Sequence, residues 1–98
     1  MMGWRVRDDS PDDLEAVVRV DRESGTTEEP PFFPLSVAVT ALQARHPAVV
    51  ATADDVLIGA AVSLVESDRA WILRICLAPG WRQRGLGSAL ITALEQRR

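Results

Sequence analysis

Apolar residues follow two rhythms along this chain. Leu14, Val17 and Val18 recur at helical spacing, which predicts a helix over residues 11–23. Ser10, Pro11 and Asp13 suit its start: an N-cap, a proline in the first turn and an acid where a capping box needs one. The acids there also meet the positive end of the helix dipole. Val39 and Leu42 predict a second helix over 35–45, stopped by Pro47. Elsewhere the rhythm is that of strands: residues 4–7, 48–53, 56–66 and 70–77. Asp54-Asp55 makes a hairpin turn, and Ser67-Asp68-Arg69 turns the chain again. In the fourth strand Trp71, Leu73, Ile75 and Leu77 fall on one face, with Ile72 and Cys76 on the other. Arg74 interrupts that second face and needs solvent, a carboxylate or a ligand. A last helix then runs to the chain end with Leu86, Leu90, Ile91 and Leu94 inward. Three prolines and a glycine keep residues 24–34 out of regular structure.

Composition narrows the class. The 98 residues allow one domain, and 47% hydrophobic with 26% charged residues is ordinary for a globular chain. The longest apolar stretch, 58–65, is too short to span a bilayer, and no apolar segment follows the N-terminus as a signal peptide would require. Cys76 is the single cysteine, so no internal disulfide forms and a reducing cytoplasm is expected. One His and one Cys far apart cannot build a zinc site. A net charge of -3 lacks the footprint of a nucleic-acid binder. All 11 basic residues are Arg, and Lys, Asn and Tyr are absent, as a GC-rich, bacterial genome would favour.

Chemistry concentrates between residues 73 and 94, in a strand, an arginine- and glycine-rich turn and an amphipathic helix. Gly85 and Gly87 let the backbone approach an anion. The first amides of the following helix lack internal partners and carry the dipole's positive end. Arg82 and Arg84 add forked cationic donors suited to phosphate. No Gly-Lys-Ser/Thr closes the turn, so it is not a Walker loop. Leu90 replaces the third glycine of a dinucleotide fingerprint.

The segment Leu77-Ala78-Pro79-Gly80-Trp81-Arg82-Gln83-Arg84-Gly85-Leu86-Gly87-Ser88-Ala89-Leu90 resembles the acetyl-coenzyme A motif of the GCN5-related N-acetyltransferases, as Arg82-x-x-Gly85-x-Gly87 after a strand ending in Leu-x-Pro. The element order β-α-α-β-β-β-α resembles that family over essentially the whole chain. The resemblance implies an α+β fold, a mostly antiparallel sheet flanked by helices. It also implies acetyl-coenzyme A as cosubstrate and direct attack by a primary amine on the thioester. The pantetheine arm would pair with backbone at Ile75, Cys76 and Leu77, with the Leu77 amide polarising the thioester carbonyl. Gln83, Arg84, Gly85, Leu86, Gly87 and Ser88 would hold the pyrophosphate through their amides, with Arg82 and Arg84 adding charge. The acceptor implied is a small-molecule or peptide amine, with no role expected for nucleic acid or membrane. The family fold continues past its motif helix with a further strand, which forms the second cleft wall, and a helix that often carries a Tyr proton donor. Residues 1–98 are therefore expected to form a single, incomplete N-acetyltransferase domain. Its fourth strand would have an open edge, which invites a homodimer or a completing partner segment. A non-catalytic coenzyme A-binding or interaction module is the alternative.

The general base has no clear candidate. Glu66 and Asp68 are nearest in sequence, although ordinary turn residues look the same. Glu28 and Glu29, with Phe32 and Phe33, occupy the loop that in this family often lines the acceptor site. Cys76 reads as a packing residue and His46 as a helix-end or surface residue.

Overall fold

The computed structural model describes residues 3–24, 34–81 and 85–97. Its elements are β1 (Arg5–Asp8), α1 (Leu14–Glu23), α2 (Leu35–Gln43), β2 (Ala48–Ala53), β3 (Val56–Glu66), β4 (Arg69–Leu77) and α3 (Leu86–Glu95), with a 3-10 turn at Pro11–Asp13. The strands form one antiparallel sheet in the order β1-β2-β3-β4. Consecutive antiparallel strands need only short connections, and both hairpin loops have two residues. Asp54 and Asp55 both take positive φ (50° and 63°), the twist that two-residue hairpin loops favour.

Ser10 and Asp13 start the first helical segment as expected: the Ser10 amide donates to Asp13 Oδ2 at 2.8 Å. Arg7 reaches the same carboxylate with both terminal nitrogens, at 2.8 and 2.9 Å. These bonds hold Asp13 below the usual carboxylate range, the Arg7 contact contributing most.

The sheet is covered on both faces. Helices α1 and α2 lie on one, where Val17, Val20, Ala38, Ala41 and Leu42 pack on Val50, Leu57, Ala60, Val62, Leu73 and Cys76. Helix α3 lies on the other, where Leu86, Leu90 and Leu94 meet Val49, Ala51, Ile58 and Ala61. Those three leucines are fully buried, and each such side chain stabilises the fold by about 1.5–3 kcal/mol. Two inward assignments change. In α2 the covered face is Val37, Ala38, Ala41 and Leu42, while Val39 lies to its side. In α3 the i, i+4 row of Leu86, Leu90 and Leu94 takes the sheet, leaving Ile91 half-buried beside it.

The main correction concerns β4. Ser63 pairs with Ile72, but Val62 pairs with Arg74, so Leu73 is an extra residue in a bulge. Leu73 and Arg74 therefore share a face. Beyond the bulge the alternation is inverted: Cys76 joins Trp71 and Leu73 on the α1/α2 side, while Leu77 joins Ile72 under α3. Of the three partners open to Arg74, the structure supplies a carboxylate, Asp21 of α1, through Nε–Oδ1 and Nη2–Oδ2 bonds of 2.8 Å each.

Candidate functional site

Strand β4 is the last in the sheet order, and among the described residues no strand pairs with its outer edge. Which backbone groups face that edge follows from one bond. The Ala78 amide donates to Ile58 O on β3 at 2.7 Å. Backbone direction alternates along a strand, so Cys76, opposite Ala60, also turns inward. The N–H and C=O groups of Ile75 and Leu77 therefore point away from β3. Ile75 is 40% exposed, an unusual position for a large apolar side chain on a strand.

The chain leaves this edge through a tight turn. Trp81 N–H donates to Ala78 O at 3.1 Å, Pro79 takes the second position, and Gly80 sits third with φ 88°. That is the type II pattern, whose third residue must have positive φ. Trp81 then packs edge-on against Trp4, ring centres 6.3 Å apart. Helix α3 is capped by Gly85 with φ 80°, a left-handed conformation that side chains resist. The helix's own bonding begins with Ala89 N–H to Gly85 O at 3.0 Å. The amides of Leu86, Gly87 and Ser88 therefore precede the first intrahelical bond and lie at the positive end of the helix dipole.

The two features adjoin. A Cβ placed on Gly87 would lie 3.9 Å from Leu77 Cδ1, so the first turn of α3 sits against the end of β4. The structure thus brings Ile75, Leu77, Gly85, Leu86, Gly87 and Ser88 to one place. Cys76, expected to pair through its backbone, does not reach the edge: its N–H and C=O turn toward β3 and its side chain into the α1/α2 core. There burial pushes its thiol up to about 12, with nearby Asp21 adding to the effect, so it is a poor nucleophile. Arg82, Gln83 and Arg84 lie outside the described residues, as do Glu28, Glu29, Phe32 and Phe33.

The suggested carboxylates are not brought to this place. Glu66 and Asp68 are exposed at the β3–β4 turn, at the opposite end of β4 from Leu77, roughly 26 Å of extended chain away. His46 is structural: its Nδ1 accepts the Val65 amide at 3.2 Å. Sequence reasoning missed Asp21, which bonds Arg74 three residues before Leu77. Its signal was Arg74, whose charge inside an apolar strand required a partner. A cavity of about 290 Å³ lies elsewhere, over Leu14, Val17 and Leu42, rimmed by Asp9 and Arg45, and contains none of the expected binding residues. No group of His, Cys, Asp and Glu suited to a metal occurs among the described residues. Among those residues no helix is long and apolar enough to cross a membrane.

An open strand edge beside a glycine-capped helix N-terminus fits the resemblance, and residues 10–97 match the model of the acetyltransferase (GNAT) family. The chain belongs to that family. Solved structures of GNAT proteins share its fold. The ribosomal-protein-S18-alanine N-acetyltransferase of Escherichia coli matches with a TM-score of 0.75 at 20% identity, over 97% of this chain and 61% of that one. The PaiA N-acetyltransferase of Thermoplasma acidophilum, solved with coenzyme A, matches at 0.73 and 24% identity, over 98% and 72%. AAC(6')-Iy, solved with the bisubstrate analog CoA-S-monomethyl-acetylneamine, matches at 0.66 and 27% identity, over 96% and 70%. The chain thus spans about three-fifths to three-quarters of these GNAT structures. No curated relative matches it.

Proposed function

We propose that residues 1–98 form the acetyl-coenzyme A-binding part of an N-acetyltransferase that acylates a primary amine by direct attack on the thioester. The observation that carries this reading is the outward Leu77 amide beside the first turn of α3. The pantetheine arm would lie along the edge of Ile75 and Leu77, pairing as an added strand pairs. The pyrophosphate would sit on the amides of Leu86, Gly87 and Ser88, with Arg82 and Arg84 as cationic support. The acetyl carbonyl oxygen would accept a bond from the Leu77 N–H. That bond strengthens as the carbonyl carbon becomes tetrahedral and negative charge gathers on oxygen. Aligning amine and thioester supplies most of the remaining acceleration, and the ammonium must first lose a proton. The complexes of PaiA with coenzyme A and of AAC(6')-Iy with an acetylneamine analog support this choice of cosubstrate and a small-molecule amine acceptor. A bacterial, cytoplasmic setting belongs to the same reading.

Isothermal calorimetry with coenzyme A and acetyl-coenzyme A tests the binding step. We expect one site per chain, weakened at least tenfold by Gly85→Val, which obstructs the left-handed cap. Heat that is unchanged by that substitution, or no binding to the wild type, rules the site out. Thiol release with a panel of amines separates the enzyme from the alternative, a non-catalytic coenzyme A-binding module. Binding without turnover on any amine would select it.

A further inference from the structure

Strand β4 could pair with β3 in two ways. In one, alternation continues unbroken from Ile72, setting Leu73 opposite Val62 and Leu77 opposite Ile58. Trp71, Leu73, Ile75 and Leu77 would then share one face, as their spacing suggests. In the other, Leu73 bulges out and everything beyond it shifts by one. The structure adopts the second, with Arg74 opposite Val62 and Leu77 opposite Gly59. A one-residue slip reverses every side chain and, with it, every backbone group. The unbroken register would turn the Ile75 and Leu77 amides toward β3 and leave those of Arg74 and Cys76 on the open edge.

Apolar burial does not choose between them. Both faces of the sheet are covered by helices, and Ile75 and Leu77 could be buried on either. Arg74 does choose. Unbroken alternation would drive its guanidinium into the apolar α3 side, among Ala61, Leu86 and Leu90. Asp21 would be left on the other side, its carboxylate only 9% exposed, without this partner. An uncompensated charge at such a site is strongly unfavourable. In the bulged register the two groups meet in a two-point bond at 2.8 Å on each arm, a geometry that arginine's planar fork favours.

We propose that the Asp21–Arg74 pair selects the register of β4 and thereby aims the Leu77 amide at the open edge. Asp21 and Arg74 are positioning residues: they act on the thioester site through the backbone. The consequence for catalysis rests on the function proposed above, but the register itself does not.

Amide hydrogen exchange on the whole chain, read residue by residue by NMR, separates the two. In the wild type, Cys76 and Ala78 amides should be protected, and Ile75 and Leu77 amides should exchange at least tenfold faster. Asp21→Leu with Arg74→Met removes the pair without leaving a buried charge. The tenfold difference should then collapse or reverse, and coenzyme A binding should weaken at least tenfold. The isosteric Asp21→Asn, a milder change, should move both readouts the same way by a smaller factor. Deleting Leu73 from the double variant removes the extra residue, so alternation without a bulge again turns Ile75 and Leu77 outward; the wild-type exchange pattern should return. An unchanged pattern in both the double variant and Asp21→Asn overturns the register proposal, whatever happens to binding. A wild type that shows the expected pattern but binds no coenzyme A upholds the register and overturns the function.

Discussion

The two edges of the sheet are built differently. Strand β1 is short, Arg5–Asp8, and three of its four residues are charged and exposed. Its charges are also tied down: Arg7 to Asp13, and Asp8 to Arg97 beyond α3. Such an edge discourages another strand. Strand β4 has nine residues, exposes Ile75 and turns the Leu77 backbone outward. Among the described residues no strand pairs with it, and a long, partly apolar edge of this kind favours an added strand or ligand. One edge is protected by charge; the other is unpaired among the described residues.

The largest expected effect comes from undercutting the open edge. Leu90 is fully buried against β3 beside β4: a Cβ on Gly59, the partner of Leu77, would come within 3.2 Å of its Cδ1. Leu90→Ala should cost about 3 kcal/mol, and thermal melting should fall by more than 10 °C. A loss under about 1 kcal/mol would mean that α3 does not hold this edge. Gly85→Ala comes next. A Cβ there meets nothing within 4 Å, so the cost is the left-handed backbone alone, about 1 kcal/mol in denaturant unfolding.

The closed edge should instead show itself in pH dependence. Asp13 has its folded pKa lowered from the ordinary 3.8, chiefly by Arg7. Its stabilisation is therefore full above that value and lost as pH falls through the lower, folded one. Because Arg7 is half-exposed, screening limits the contribution to about 0.5–1 kcal/mol. Asp13→Asn should lose that much at pH 7 and match the wild type once both states are protonated. Asp9 is a control of opposite sign. Burial outweighs its Arg45 contacts and raises its pKa, so its ionisation costs stability as pH rises above 3.8 through the folded value. A pH titration of unfolding free energy for Asp13→Asn and Asp9→Asn should show differences of opposite slope.

Ile75→Lys should have the smallest effect on folding, within about 0.5 kcal/mol, because the site is exposed. Its effect on association should be clear. We expect the wild-type chain to self-associate with rising concentration in sedimentation or light scattering, and the lysine variant to remain monomeric. A wild type that stays monomeric at high concentration would show the β4 edge to be as well protected as β1.

Much of this protein was legible in its residues. Helices and hairpins follow from local rules: apolar period, capping acids and turn residues. The Arg82-x-x-Gly85-x-Gly87 motif pointed to the β4–α3 junction for the same reason, because its residues are neighbours in sequence. Apolar residues at both alternating positions of β4 also fit a sheet covered on both faces. The face assignment beyond Leu73 was not legible. Alternating apolar residues score equally well in either register when both faces are covered. Only tertiary structure could decide it, because the deciding charge, Asp21, lies 53 residues from Arg74 in the chain and meets it only after α1 packs on the sheet.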